Sequence, residues 1–257
     1  MDAATDVIRA QGYSATTVDD ICQTAGVTKG AFFHHFGSKE ELAVSAAREF
    51  SSMADRLFCA APYRELADPL DRLLAYVEFR KSLLQGALPE FTCLLGTMVQ
   101  EAYRTHPAIR AACESGLSEH VAMLEADIAE ALHTYGGDGQ WSAESLATFM
   151  QAVTQGAFIL AKAQQGPAVA AACLDHLRRY IQTLFSHPKK KGKQHGPQDD
   201  RNSGTRVRGR AQRAGAGVRT GIKSSLSAHG SDISVPHGRS KSGDRPGAQC
   251  SAGGSIP

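Results

Sequence analysis

The chain has 257 residues, with 28 Lys and Arg against 26 Asp and Glu, and a formal net charge of +2. That near-neutral total hides a split: from His187 onward fourteen basic residues face four acidic ones, leaving fourteen basic and twenty-two acidic over residues 1–186. No eighteen-residue apolar run occurs and no secretory h-region opens the chain, so no membrane span is expected and the reading is a cytoplasmic protein. Six Cys, at 22, 59, 93, 113, 173 and 250, lie far apart without a CxxC pair. Most fall on helix faces, where a free Cys behaves as a small hydrophobe.

Hydrophobic periodicity predicts helix throughout residues 1–186 and no alternating strand. Ala3, Ala4, Val7 and Ile8 mark a short first helix stopped by Gly12. Val18, Ile21, Cys22 and Ala25 form one stripe on a second, opened by a Thr17/Asp20 capping box and ended at Gly26. Thr28 caps a third short helix that Gly37 ends, and Ser38 to Glu41 is a capping box for a fourth running to about Cys59. Asp68-Pro69 opens a helix carrying Leu70, Leu73, Leu74 and Val77. Phe91, Leu94, Leu95, Met98, Val99 and Ala102 mark the next. His106-Pro107 starts another, which ends at the Gly136-Gly137-Asp138-Gly139 turn. Two strongly apolar helices, separated by Gly166-Pro167, complete about nine helices in one all-α body. Residues 187–257 are rich in Gly, Ser, Arg, Gln and Pro without any period, and are expected to form a basic, disordered tail.

Two short helices joined through Gly26 suit a helix-turn-helix whose second helix enters the major groove. On residues 28–36, Phe32 and Phe36 project to one side as anchors on a small core, while Gly30, Ala31 and His34 point away with Phe33 on the flank. Thr28 and Lys29 sit at that helix's N-terminus, where backbone N–H groups favour phosphate. Small Gly30 and Ala31 permit close approach to bases, and Lys39 starts the next helix with a cation. An αα-hairpin without DNA is the plain alternative. His34-His35 could suggest metal, but adjacent helical residues point about 100° apart and no Cys or carboxylate completes a site, so no metal is expected.

The stretch from Thr16 to Cys22 and from Ala25 to Leu42, including Thr28-Lys29-Gly30-Ala31-Phe32-Phe33-His34-His35-Phe36-Gly37-Ser38-Lys39, closely resembles the DNA-binding domain of the tetracycline-repressor (TetR) family over about residues 3–47. The resemblance implies a homodimer with a three-helix DNA-binding head and a variable helical ligand domain, its last two long helices pairing across the dimer as a four-helix bundle. It matches Thr28, Lys29, Gly30, Ala31, Phe33 and His34 to DNA-facing positions, and Thr17 and Lys39 to positions that touch phosphates. Two departures stand out. Members usually carry Tyr where Phe33 stands, and their first helix usually begins several residues earlier, so the expectation is an upstream start or a weakened head. Leu94-Leu95-Gly96-Thr97 and Gln155-Gly156-Ala157 also look like segments of the family's ligand domains.

The expected organisation is therefore a head over residues 1–47, a ligand and dimerisation domain over 48–186, and the tail over 187–257. Met98, Tyr103, Phe149, Met150 and Phe158 are candidate lining residues of a ligand cavity, with ordinary core packing as the alternative. Cys93 lies beside that cavity; Cys93 and Cys113 are either buried structural thiols or sensors of oxidants and electrophiles. No Gly-rich phosphate loop, paired catalytic carboxylates or Cys/His set indicates an enzyme or a cofactor. The expected function is a repressor released from double-stranded, pseudo-palindromic operator DNA by a small-molecule effector. Its fourth helix would act as the lever between two head spacings. The alternatives are an activator of the same fold, or a small-molecule-binding helical protein with weak or no specific DNA binding. The Lys189-Lys190-Lys191 tail either adds salt-sensitive affinity for DNA or is functionless coil or a misread frame.

Overall fold

Capping residues and apolar stripes set the helix boundaries in the computed structural model, which describes residues 1–186. The expected tail, residues 187–257, lies outside the described residues. The order is α1 (Asp2–Gln11), α2 (Val18–Ala25), α3 (Lys29–His35), α4 (Lys39–Cys59), a 3-10 turn (Pro62–Glu65), α5 (Pro69–Ser82), α6 (Leu88–Phe91), α7 (Leu94–Ala102), α8 (Pro107–Tyr135), α9 (Ala143–Gln164) and α10 (Ala168–Phe185). Among the described residues there is no strand, and the architecture is all-α.

The start signals act as their chemistry dictates. Thr17 Oγ1 accepts from the Asp20 N–H at 3.1 Å while Asp20 Oδ2 accepts from the Thr17 N–H at 2.8 Å, closing the capping box of α2. Gly26 ends α2 at φ +66°, a left-handed conformation that is cheap only without a Cβ. At Ser38 the box is offset. The serine caps Glu41 N–H, but the Glu41 carboxylate reaches past it to the Gly37 N–H at 2.8 Å. Phe36, in an extended conformation, therefore ends α3 one residue earlier than expected, and Gly37 belongs to the cap of α4.

Among the described residues ten helices replace the expected nine because the Phe91–Ala102 stripe is broken. Thr92 is extended (ψ 158°) between α6 and α7, and Cys93 becomes the N-cap of α7, its Sγ accepting from the Gly96 N–H at 3.4 Å. Thr92 Oγ1 donates to the Leu88 carbonyl at 2.8 Å, a local bond that competes with helix continuation.

Three apolar clusters divide the interior. Ala4, Ile21, Cys22, Phe32 and Leu42 form a small core under α1–α3. Ile8 and Tyr13 join Ala43, Ala46 and Ala47 of α4 with Leu94, Met98, Ile109 and Cys113 in a second. The largest cluster holds α5, α8, α9 and α10 together through residues such as Leu73, Leu124, Met150, Leu174 and Ile181. The second cluster is the joint, because it packs α1 and α4 against α7 and α8.

Two polar networks tie elements together inside this interior. Asp127 accepts from Arg64 at 2.6 Å and from Arg72 at 3.0 Å, tying the 3-10 turn and α5 to α8. Arg80 Nε donates to the Tyr76 hydroxyl at 2.9 Å, and that hydroxyl lies 2.8 Å from His120 Nε2. With Arg80 able only to donate, Tyr76 donates to Nε2 and His120 is a neutral imidazole. Burial, then Arg80 and Arg64, hold its pKa well below the ordinary 6.5.

The pH dependence follows from that depressed value. Below about 6.5 the unfolded chain binds a proton that folded His120 refuses, so stability is full above that pH and falls on acidification. We predict that this one site removes up to about 1.4 kcal/mol per pH unit. Urea unfolding at pH 7.5 and 5.5 should show a smaller acid-induced loss for His120→Gln than for the wild type; equal losses would contradict the assignment.

Candidate nucleic-acid interface and ligand cavity

The short α3 is held by one face only. Phe32 is buried, its ring 5.0 Å from Phe33 and 5.7 Å from Phe36, whereas Thr28, Lys29, Gly30, Ala31, Phe33 and His34 are all exposed. Phe33 leaves 55% of its surface open, which a free-standing helix would not favour for a ring of this size. Thr28 Oγ1 caps the Ala31 N–H at 3.1 Å. Lys29 reaches Asp19 of α2 at 2.7 Å, an exposed pair whose partner is exchangeable. Hydrogen bonding to Asp19 raises the Lys29 pKa, so the side chain stays a full cation. The His34 and His35 rings lie 5.1 Å apart at 72°, and among the described residues no group of three or more His, Cys, Asp or Glu is placed to hold a metal.

Thr17 is exposed and serves as the α2 cap. Lys39 is placed differently from the expected phosphate contact. Its ammonium turns inward, donating to the carbonyls of Tyr13 at 3.0 Å and Thr16 at 2.8 Å and lying 4.3 Å from the centre of the Tyr13 ring. Two of its three donors are used to hold the α1–α2 loop on the start of α4. The same loop is gripped from the other side. The Ser14 N–H donates to Glu101 at 2.7 Å, and Gly12, at φ +90°, has no room for a Cβ beside that carboxylate. Sequence spacing carries no signal for these two long-range contacts. We predict that Lys39→Met destabilises the protein by about 1–3 kcal/mol, because two carbonyls lose a charged donor. Chemical denaturation measures it, and an unchanged midpoint would remove this role.

A cavity of about 190 Å3 lies among α1 and α4 to α9. Its apolar wall includes Phe58, Leu84, Phe91 and Phe158, and its polar lining includes Arg9, Asp55, Arg80, His120 and Gln151. Cys93 and Phe158 line it. The other four candidates do not. Met98 and Met150 are sealed in the second and largest clusters. Tyr103 and Phe149 are on the surface, 55% and 44% exposed. Helical spacing identifies an apolar face but not which cluster that face enters. Gly96 and Gln155, from the two ligand-domain segments singled out in the sequence, meet across α7 and α9: a Cβ on Gly96 would sit 2.1 Å from Gln155 Oε1. The Cys113 thiol is pushed up to about 12 by burial, which keeps it protonated and unreactive.

Arg9, Phe58 and His120 are among the lining residues that spacing did not single out. Arg9 stands on a four-turn-or-shorter helix beside Ile8, and nothing in its neighbours distinguishes it from a solvent-facing Arg.

A helix-turn-helix with an exposed second helix, above an all-helical body with a cavity, can be set against known proteins. The family model described as "Bacterial regulatory proteins, tetR family" matches residues 1–46, and that described as "Tetracyclin repressor-like, C-terminal domain" matches residues 69–177. The chain belongs to the tetR family. As a member it is a DNA-binding transcriptional regulator. Among curated relatives, the HTH-type transcriptional repressor DhaR of Mycobacterium sp. (strain GP1) is 27% identical over 165 residues, covering 64% of this chain and 81% of that protein. In fold, the chain is similar to the regulatory protein TetR from Rhodobacter sphaeroides, with a TM-score of 0.63 and 23% identity, covering 70% of this chain and 95% of that one. It is also similar to a mutant of the TetR-family regulator CifR complexed with 26bp double-strand operator DNA, with a TM-score of 0.59, 17% identity, and coverage of 69% and 92%. Among the described residues no helix is long and apolar enough to cross a membrane.

Proposed function

We propose that this regulator is a repressor that binds operator DNA as a homodimer and releases it when a small molecule fills the cavity. One observation carries the DNA-binding role: α3 buries Phe32 and leaves every other residue from Thr28 to His34 exposed. That face, with Lys29, Gly30, Ala31, Phe33 and His34, reads bases and backbone in the major groove, and Thr28 and Thr17 meet phosphates at its edges. The head covers about residues 1–47 and the ligand and dimerisation domain 48–186, with α4 continuous across the boundary.

Charge sets how the head binds. Over residues 1–47 only Arg9, Lys29 and Lys39 are basic, against six Asp and Glu. Arg9 is buried and Lys39 is engaged with carbonyls, so Lys29 is the cation free to exchange its carboxylate partner for a phosphate. Few phosphates are neutralised, so affinity depends weakly on salt and leans on contacts to bases. We predict that Lys29→Ala lowers the slope of log K against log salt by about one, while His34→Ala weakens binding to the operator more than to random DNA. Fluorescence anisotropy on the DNA beside its own gene, across a salt series, checks both. Equal affinity for operator and random DNA in the wild type would exclude specific recognition.

Dimerisation is supported by the outer face of α9 and α10. Phe149, Ile159, Leu160 and Tyr180 are 44–49% exposed there, and the Phe149 and Tyr180 rings lie 5.2 Å apart. Large exposed apolar residues gathered on one pair of helices mark an association surface. Two copies pairing α9 and α10 as a four-helix bundle place two heads for half-sites about 34–36 Å apart. We predict that Leu160→Glu gives a monomer by analytical ultracentrifugation and lowers operator affinity by about 100-fold or more, through loss of the second head. A dimeric Leu160→Glu protein with unchanged DNA binding would place the interface elsewhere.

Release needs the cavity to act on the heads. Phe50, Ala54 and Phe58 of α4 and Arg9 of α1 line it, so a ligand touches both helices that carry the head. A ligand that binds one head spacing better shifts the population toward it.

A further inference from the structure

Arg9 is the charged cavity residue whose buried polar group lacks a partner. It is only 9% exposed, its Nε is buried with no hydrogen-bond partner, and among the described residues it forms no ion pair. Its one described polar contact is with a π face, the guanidinium lying 5.5 Å from the centre of the Phe50 ring. A guanidinium cannot shed its charge at physiological pH, so burying it unpaired is costly.

The acids around it do not meet the need. Glu90 is held by the Ala87 N–H at 3.1 Å, and Glu101 by the Ser14 N–H at 2.7 Å. Asp6, one turn back on α1, forms no ion pair with Arg9 and acts on it only through its charge. A second cation adds to the imbalance. Lys162 donates to Thr97 Oγ1 at 2.8 Å and is itself depressed in pKa by burial first and by Arg9 next. One wall of the cavity is apolar, with Phe58, Leu84, Phe91 and Phe158; Asp55, Glu90, Arg80 and His120 also line it, and the buried Gln151 Oε1 lacks a partner.

We propose that the effector is a small apolar carboxylic acid whose carboxylate pairs with Arg9 while its hydrocarbon body lies among Phe58, Leu84, Phe91 and Phe158. The inference rests on the effector-released regulator described above and specifies the ligand of that cavity. An Arg–carboxylate pair is bidentate and strong where water is excluded. At about 190 Å3 the cavity is smaller than most ligand sites, which run from about 300 to 1,000 Å3, and suits a molecule of one ring or a short chain. Because Arg9 belongs to α1, the carboxylate would pull on a helix of the DNA-binding head itself. Effector binding and head position would then share one ion pair.

Isothermal titration of the full chain tests this with benzoate, 3-phenylpropanoate, hexanoate and octanoate, each beside its primary amide. At least one acid is expected to bind ten or more times tighter than its amide. Arg9→Met should abolish the difference, while Arg9→Lys, which keeps a cation, should retain part of it. Without ligand, Arg9→Met should raise Tm by about 2–4 °C, since an unpaired buried charge is gone. Failure of all four acids to bind, equal binding of acids and amides, or an acid preference that survives in Arg9→Met would overturn the inference. Operator release is read separately by anisotropy. An Arg9-dependent acid that binds without releasing DNA supports the ligand class and overturns the release mechanism instead.

Discussion

The close packing of α4 on α1, α7 and α8 is the constraint on which the rest of the molecule depends. Ala43, Ala46 and Ala47 are fully buried on one face of α4, and a face of small side chains lets neighbouring helices approach closely. Farther along, Gly116 of α8 meets Ser51 of α4 so tightly that a Cβ would lie 2.0 Å from the Ser51 oxygen. Below this joint α4 continues into the wall of the cavity with Phe50, Ala54 and Phe58; above it Leu42 enters the core under α3. One rigid helix therefore has its two ends in the two sites. Packed interfaces of this density shift between discrete arrangements rather than deforming smoothly, as a switch requires.

A second connection runs through α7. Glu101 at its end holds the Ser14 N–H, and the Tyr13 ring packs edge-on against His106 at 5.1 Å. Cys93 at its start lines the cavity. The α1–α2 loop is thus clamped between Lys39 of α4 and Glu101 of α7, so the orientation of the helix-turn-helix is set jointly by the two helices. Cys93, the N-cap that follows the break at Thr92, is among the residues lining the cavity.

The head's own charge gives this regulator a particular character. The head is net acidic and uses Lys39 internally, and the short exposed face of α3 sets small Gly30 and Ala31 beside Phe33. A phenyl ring at that position contributes packing without a hydroxyl to hold phosphate. In the proposed mode of binding, weak general attraction to DNA and selective contact with bases would let a modest change in head position release the complex.

Most of the helices and caps, and the exposed face of α3, were legible in the sequence because they depend on neighbours three or four residues away. Thr17/Asp20, Gly26, Thr28 and Asp68-Pro69 act locally, and Phe32 against Phe33 and His34 is decided by 100° of rotation per residue. The tertiary structure alone decided which apolar face enters which core, and so set Met98 and Met150 in packing and Phe149 at the surface. It also decided where long polar side chains reach: Lys39 to the Tyr13 and Thr16 carbonyls, Glu101 to Ser14, and Arg9 into a cavity without a partner. Those placements join residues 23 to 87 positions apart, or depend on helices from both ends of the chain, and no periodicity within one helix encodes them. Local spacing determined that this is a helix-turn-helix protein; the packing of α1, α4 and α7 determined how its cavity can reach the DNA-binding face.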